Sequence, residues 1–412
     1  MHRSPYLSLL RRNPDFARLY GAQLASFAGD WFATVALLGM ALQMTGSAAL
    51  ASLVLALQTG GFAAASPLAG MVADRVDRRR LLVAVDLARV PVALAFLLAR
   101  DPGTLWIAFG AVLLLAVGAA FFEPTSSASL PNLVAADDLP VANVLIGSAW
   151  GTMLALGAAL GGLVAVTLGR DAAFVINALS FVLSAVLILG IRRPLQLARV
   201  PGPSAPARLN DSISTAVRFA RGRRTVASFL LTKTSFGIGT GLVALLAVFG
   251  RNVFGAGDAG IGILFAARGL GALVGPFIAR SVMGTEDRDL IRGIGWSFVA
   301  LAVAYALFPL SPGIAVAAVL VFIAHCGGGA QWMLSTFGLQ RATPDAIRGR
   351  MFSVDYGLVT LAIALSTLLA GLLADLFPPR VAVWTMVALV AAAGTAWFWF
   401  SRPALATGPE DR

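Results

Sequence analysis

An all-α membrane protein, with twelve transmembrane helices in two pseudo-symmetric six-helix bundles, is the fold class this sequence predicts. Three observations predict it: a charge content too low for a water-exposed surface, apolar blocks as long as a bilayer is thick, and a second half that repeats the first.

Charge comes first. The 412 residues are 58% hydrophobic and 12% charged, with a mean hydropathy of +0.84. A soluble chain carries roughly 25% charged residues to keep its surface solvated. A net charge of +11 would suggest nucleic acid in a soluble protein. Here the basic residues are almost all Arg in short loops between apolar blocks, so the expected partner is the lipid bilayer and no nucleic acid. The single Cys326 excludes a disulfide framework and a cysteine zinc site, and His2 and His325 are too few for a histidine-rich metal site. No Gly-Lys-Ser/Thr phosphate loop and no Ser/His/Asp spacing occur, so neither direct ATP use, an enzyme nor a cofactor is expected. The N-terminus, with Arg3, Arg11, Arg12 and Arg18, lacks the pattern of a cleavable signal.

The apolar blocks come next. A helix rises ~1.5 Å per residue, so about 20 apolar residues cross a hydrocarbon core of about 30 Å. Spans are predicted near 17–44, 48–70, 81–99, 104–124, 141–168, 172–191, 226–249, 258–279, 291–309, 313–338, 351–374 and 381–400. Loop charge sets the orientation, because cytoplasmic loops carry the excess of Lys and Arg. The side bearing both termini holds 24 basic residues; the other holds Arg100, Arg170, Arg251 and Arg380. Both termini are therefore expected in the cytoplasm of a bacterial inner-membrane protein. Residues 192–224 form the one long hydrophilic segment, with Pro201, Pro203 and Pro206 before an amphipathic stretch, Asn210 to Ala220, suited to a membrane surface. The predicted organisation is a bundle over 1–191, a cytoplasmic linker over 192–224, and a second bundle over 225–412.

The repeat is read at an offset of 209 residues. Gly60 meets Gly269, Pro67 meets Pro276, and Gly118 meets Gly327. Leu156, Leu160, Gly162, Leu163 and Ala165 meet Leu365, Leu369, Gly371, Leu372 and Ala374. Parallel halves imply a pseudo-twofold axis along the membrane normal and a central site.

Several motifs are more specific. After the second span the chain reads Gly70-Met-Val-Ala-Asp74-Arg75-Val-Asp77-Arg78-Arg79-Arg80. This resembles the signature loop of the major facilitator superfamily, with Asp77 where many members have glycine. Asn13-Pro-Asp-Phe16, Gly29-Asp30, Leu130-Pro131-Asn132-Leu133 and Arg348-Gly349-Arg350 resemble the bacterial branch that includes the enterobactin exporter and macrolide efflux proteins. The fifth span, with Gly147, Gly151, Gly157, Gly161 and Gly162 in an arc of about 140°, is similar to the glycine-rich fifth helix of drug–proton antiporters, although Ala158 stands at that family's usual proline. The resemblance implies a monomeric secondary transporter working by alternating access, with the first, fourth, seventh and tenth helices lining its cavity. A proton-coupled exporter of a small amphipathic or lipophilic molecule is expected; an importer or lysophospholipid flippase, and a non-transporting scaffold or sensor, stay open.

Candidate working residues are the polar ones at bilayer depth, because a charge there costs roughly 2.5–3.5 kcal/mol on insertion scales. Asp30 leads, with Gln23, Ser26 and Thr34 within about 40° of it on the helical wheel. Coupling of proton or substrate and structural pairing are both open for it. Arg268 in the eighth span is its expected counter-charge; Lys233, the only lysine, lies in the seventh. His325 has the unperturbed pKa of a proton switch and shares a face with Trp332 and Thr336, which are expected to line the cavity. Gly70, Asp74, Arg75, Arg78, Glu123 and Asp355 are assigned to gating: Glu123 is expected to end the fourth span beside Arg78, and Asp355 to lie near Asp74. Asp86 and Arg89, three residues apart, are expected to satisfy each other.

Overall fold

Inside a bilayer a backbone amide finds no water, so every span must satisfy its own hydrogen bonds as helix. A computed structural model of the chain describes residues 5–73, 75–196, 209–284 and 286–405. Among these residues are twelve helices long and apolar enough to cross a membrane. In order they are Pro14–Thr45, Ala48–Ala73, Arg78–Leu98, Pro102–Leu133, Ala136–Thr167, Arg170–Leu189, Arg224–Val253, Gly257–Val282, Asp287–Leu310, Ile314–Ala342, Ile347–Leu376 and Pro379–Ser401; they are called the first to twelfth spans.

All twelve lie where apolar length places them. The fourth overruns its predicted end: it continues through Pro124 and Pro131 to Leu133, so Glu123 is interior to the helix. Each proline removes the donor to the carbonyl four residues back, that of Ala120 or Ser127, without ending the helix; hydroxyls on the same stretch bond other carbonyls of the helix. Thr125 Oγ1 donates to the Phe121 carbonyl at 2.6 Å, and Ser129 Oγ to that of Thr125 at 2.8 Å. Two shorter helices accompany the spans. Pro5–Arg12 buries Leu9 and packs on the first and fifth spans. Leu209–Ala220, in the expected amphipathic stretch, packs on the eleventh span and buries Ala216. Linker residues 197–208 lie outside the described residues.

The described chain forms two compact units. The first holds residues 1–46, 57–204 and 257–266. In it the first span packs on the fifth and sixth, and the third on the fourth and sixth. Glycines set the closest approaches. A Cβ on Gly161 would stand 2.8 Å from the Phe32 Cα, and one on Gly29 2.1 Å from the Ser180 hydroxyl. Overpacking such positions costs roughly 1–3 kcal/mol.

The second unit holds residues 47–56, 205–256 and 267–412. Its seventh span packs on the eleventh and twelfth, and its ninth on the tenth and twelfth. These are the repeat mates of the contacts in the first unit. The eighth and tenth spans meet through Gly271, Gly275 and Gly329; a Cβ on Gly275 would lie 2.0 Å from the Cys326 carbonyl oxygen. Small residues four apart admit such close backbone approach. The seventh span is interrupted at Thr240–Gly241, where the Gly241 amide donates to Ser366 Oγ at 2.8 Å and that hydroxyl donates to the Ile238 carbonyl at 2.6 Å.

Candidate functional site

In the first unit the polar stripe of the first span meets one long side chain from the third. Arg89 Nη2 donates to Asp30 Oδ2 at 2.8 Å, and Nη1 to Ser26 Oγ at 2.9 Å. Asp86, one turn back, lies 3.6 Å from the same guanidinium. Asp86 and Arg89 are 0% and 3% exposed. The guanidinium also stacks on the Phe181 ring of the sixth span, 3.9 Å from its centroid. Gly118 of the fourth span makes this reach possible, because a Cβ there would stand 2.8 Å from the Arg89 Cδ.

The network extends along the stripe. Thr34 Oγ1 donates to the Asp30 carbonyl at 2.7 Å and accepts from Gln58 Nε2 at 2.8 Å. Ser126 Oγ donates to Gln23 Oε1 at 3.4 Å. Glu123 lies within electrostatic reach of Asp30 and Arg89. Three carboxyl groups thus face one guanidinium inside the unit. Within the first unit the counter-charge of Asp30 is Arg89, and Asp86 shares that arginine instead of keeping it. Sequence pattern placed Asp30, Gln23, Ser26 and Thr34 on one face. It could not show that a third-span arginine crosses to them.

The second unit carries two polar groups. Lys233 pairs with Asp355 of the eleventh span, and both are buried. Its ammonium faces the Trp332 ring at 5.2 Å, Tyr356 at 5.5 Å and Phe352 at 5.7 Å, measured to the centroids. Asp355 was expected beside Asp74, which lies outside the described residues; it meets the lysine because the eleventh span packs along the seventh. The second group joins Tyr305 of the ninth span to His325, with phenol oxygen and Nε2 2.9 Å apart. Arg268 lies within electrostatic reach of both. Thr336 donates to the Trp332 carbonyl at 2.7 Å.

The signature-loop motifs build a further node in the first unit. Asp77 caps the third span by accepting from the Arg80 amide at 2.9 Å. Arg78 Nη1 donates to the carbonyls of Ala128 and Leu195 at 2.7 and 3.2 Å, so these, not Glu123, are the hydrogen-bond acceptors that the structure gives it. Arg79 donates to the Arg193 carbonyl at 2.8 Å. Gly70 lies in the last turn of the second span, and the Arg75 amide donates to the Val72 carbonyl at 2.8 Å. Asp15 accepts from the amides of Arg192 and Arg193 at 3.0 and 3.1 Å. Asn13 caps the first span through the Phe16 amide and donates to the Leu133 carbonyl at 2.8 Å; Asn132 donates to that of Leu195 at 2.9 Å. The Asn-Pro-Asp-Phe and Leu-Pro-Asn-Leu motifs therefore clasp residues 191–196 onto the bundle. Their spacing carried no sign of this, since the acceptors are backbone carbonyls about 60 to 120 residues away.

A family described as transmembrane secretion effector matches residues 5–408. A Bacillus subtilis protein named as a bacilysin exporter, BacE, is 27% identical over 372 residues, covering 87% of this chain and 88% of its own. YfiS of Bacillus subtilis strain 168, named as an uncharacterized major facilitator transporter, is 25% identical over 384 residues, covering 89% and 88%. Among solved structures, a bacterial homologue of the human lysosomal transporter Spinster aligns over 99% of this chain and 100% of its own, with a TM-score of 0.72 and 16% identity. A POT family transporter in complex with 5-aminolevulinic acid aligns over 96% and 97%, with a TM-score of 0.76 and 12% identity. At these identities the structures establish the shared fold alone.

Proposed function

We propose that this chain, which belongs to the transmembrane secretion effector family of the major facilitator superfamily, couples proton entry to export of a small amphipathic or lipophilic molecule. It is a multi-pass membrane transporter. It lies in a bacterial inner membrane, with both termini in the cytoplasm, as its loop arginines favour. It works as a monomer by alternating access.

One observation carries the proton: Asp30, Asp86 and Glu123 face a single cation, Arg89. One guanidinium balances one carboxylate. Uncompensated charge in a low-dielectric interior costs several kcal/mol per ion, so the remaining acids reach neutrality by taking up protons. Asp30 is the exchanging group, because it accepts a hydrogen bond from Arg89 and its side chain is 28% exposed while that of Asp86 is closed off. A proton on Asp30 weakens its hold on Arg89, and losing it restores the pair, which gives two arrangements for a gradient to bias. Support for export comes from the relatives, one of which is named as an exporter.

The test uses inside-out membrane vesicles containing the protein, a fluorescent amphipathic dye and an imposed pH gradient. Dye accumulation should require an acid interior and collapse with the gradient. The Asp30→Asn variant should retain less than about a tenth of the wild-type rate, a barrier increase of about 1.4 kcal/mol or more. Undiminished gradient-driven accumulation in Asp30→Asn would overturn the proposal.

A further inference from the structure

We infer that Asp355, Trp332, Phe352 and Tyr356 form a binding cage for an organic cation, that Lys233 occupies it as a resident cation, and that Lys233 releases its proton when the organic cation binds. The inference rests on the proton-coupled export proposed above and names the substrate class of one site.

Three observations carry it. Faces of three aromatic rings lie 5.2–5.7 Å from the Lys233 ammonium, within the ~6 Å at which a ring quadrupole attracts a cation. Trp332 and Tyr356 stand nearly perpendicular, with centroids 5.9 Å apart, as two walls of one box. Asp355 closes the box with a carboxylate whose second oxygen, Oδ1, is buried without a hydrogen-bond partner among the described residues. That oxygen is free to receive a ligand's N–H or to face a quaternary centre. Tyr356, 49% exposed, forms the outer wall.

Residue choice makes the cation exchangeable. Lys233 is the only lysine in the chain; the other thirty basic residues are arginine. Arginine holds its proton throughout the accessible pH range, whereas a buried lysine can lose one. The fold does not require the pair, because at the repeat offset its mates are Leu24 and Ile146. A buried ion pair seldom stabilises a protein more than well-packed apolar residues would. The presence of this pair points to use.

Charge balances through the exchange. At rest the Lys233 ammonium neutralises the Asp355 carboxylate. When an organic cation enters against Asp355, Lys233 gives one proton from Nζ to water and remains as a neutral amine. One cation enters, one proton leaves, and the site stays neutral. The titratable groups on the ammonium are Asp355 and the Tyr356 phenol, both from the eleventh span. The tenth adds His325 and Arg341. The ninth and twelfth, which also pack on the seventh, carry charges only near their starts (Asp287, Arg288, Asp289 and Arg292; Arg380). Asp211 and Arg218 lie on the short Leu209–Ala220 helix.

The experiment titrates full-length purified protein with tetraphenylphosphonium, a permanent cation, in weakly buffered detergent with a pH-sensitive dye. Wild type should release about one proton per probe bound, with affinity rising up to ~10-fold per pH unit. Lys233→Met leaves Asp355 without its cation, so that carboxyl takes up a proton itself and should release it when the probe binds. Lys233→Arg, which keeps a cation in the cage, should bind at least ~10-fold more weakly, with no release. Asp355→Asn should lose binding, and tetraphenylborate should not compete. Size-exclusion profiles establish that each variant is folded. Wild-type binding without proton release, or release that persists in Lys233→Arg, would overturn the inference. If either occurs while Asp30→Asn still abolishes gradient-driven transport, this inference fails and the export proposal stands. A wild type indifferent to the gradient would sink the export proposal instead.

Discussion

Gly118 gives Arg89 its path: a single methyl group on that glycine would sit 2.8 Å from the arginine Cδ. The salt bridge from Arg89 to Asp30, which draws a third-span side chain to the first span, depends on a hydrogen atom in the fourth.

Gly118→Leu should therefore displace Arg89 and lower thermal stability in detergent, by roughly 1–3 kcal/mol. Gly118→Ala should fall between, because the Arg89 stem can yield by a few tenths of an ångström. Equal melting of all three proteins would show that the glycine is incidental.

Removing Arg89 should cost more than removing Asp30. Arg89→Ala strips the one cation from three carboxyl groups, and breaking a buried pair in this way costs about 3–5 kcal/mol. Asp30→Asn leaves Arg89 with Asp86 and Ser26. Denaturation midpoints of the two variants measure the difference, and the reverse order would contradict the arrangement.

Asp15→Ala should free the segment that follows the sixth span. Its carboxylate accepts from two consecutive amides, and leaving such donors without a partner costs about 1–3 kcal/mol. Hydrogen exchange at Arg192 and Arg193 should accelerate while the sixth span remains protected. Unchanged exchange would assign the clasp to Asn132 and Arg79.

Asp375 caps the second span from the end of the eleventh, accepting from the amides of Ala48 and Ala49 at 2.5 and 3.2 Å and from the Ser47 hydroxyl at 2.6 Å. Asp375→Ala should cost about 0.5–2 kcal/mol, as loss of an N-cap does. The corresponding place in the first unit holds a different device: Arg170 grips Asp258 through two bonds of 2.7 and 3.1 Å. A double-mutant cycle on Arg170 and Asp258 should give a coupling of about 0.5–3 kcal/mol. Additive single substitutions would show that the pair is too hydrated to matter.

The spans were legible because bilayer thickness acts on each segment separately, and a run of apolar residues reports it without reference to the rest of the chain. The fourth span was read short at residue 124, where the apolar run gives way to Pro, Thr and Ser; packed in the bundle, the helix runs on through Pro124 and Pro131 to Leu133. The repeat was legible for a related reason. Gly162 and Gly371 hold the same register, and both pack tightly, on the eighth span at Gly262 and on the second at Ala49. Shape is thus repeated while chemistry is not: Asp30 and Arg89 have Gly239 and Phe298 as mates. That Arg89 reaches Asp30 was not legible, because proximity in three dimensions leaves no periodic trace.

Sequence alone determined that twelve helices cross a membrane, that six resemble six, and that Asp30, Gln23, Ser26 and Thr34 share a face. These follow from the 3.6-residue turn and from the cost of burying charge, both of which act locally. Tertiary structure alone decided which face meets which: that Arg89 crosses to Asp30, that Lys233 finds Asp355 among three rings, and that the asparagine motifs bind residues 191–196. Helix rotation and approach are set by glycine contacts between distant segments, so a side chain's neighbour is a property of the packed bundle and not of the segment that carries it.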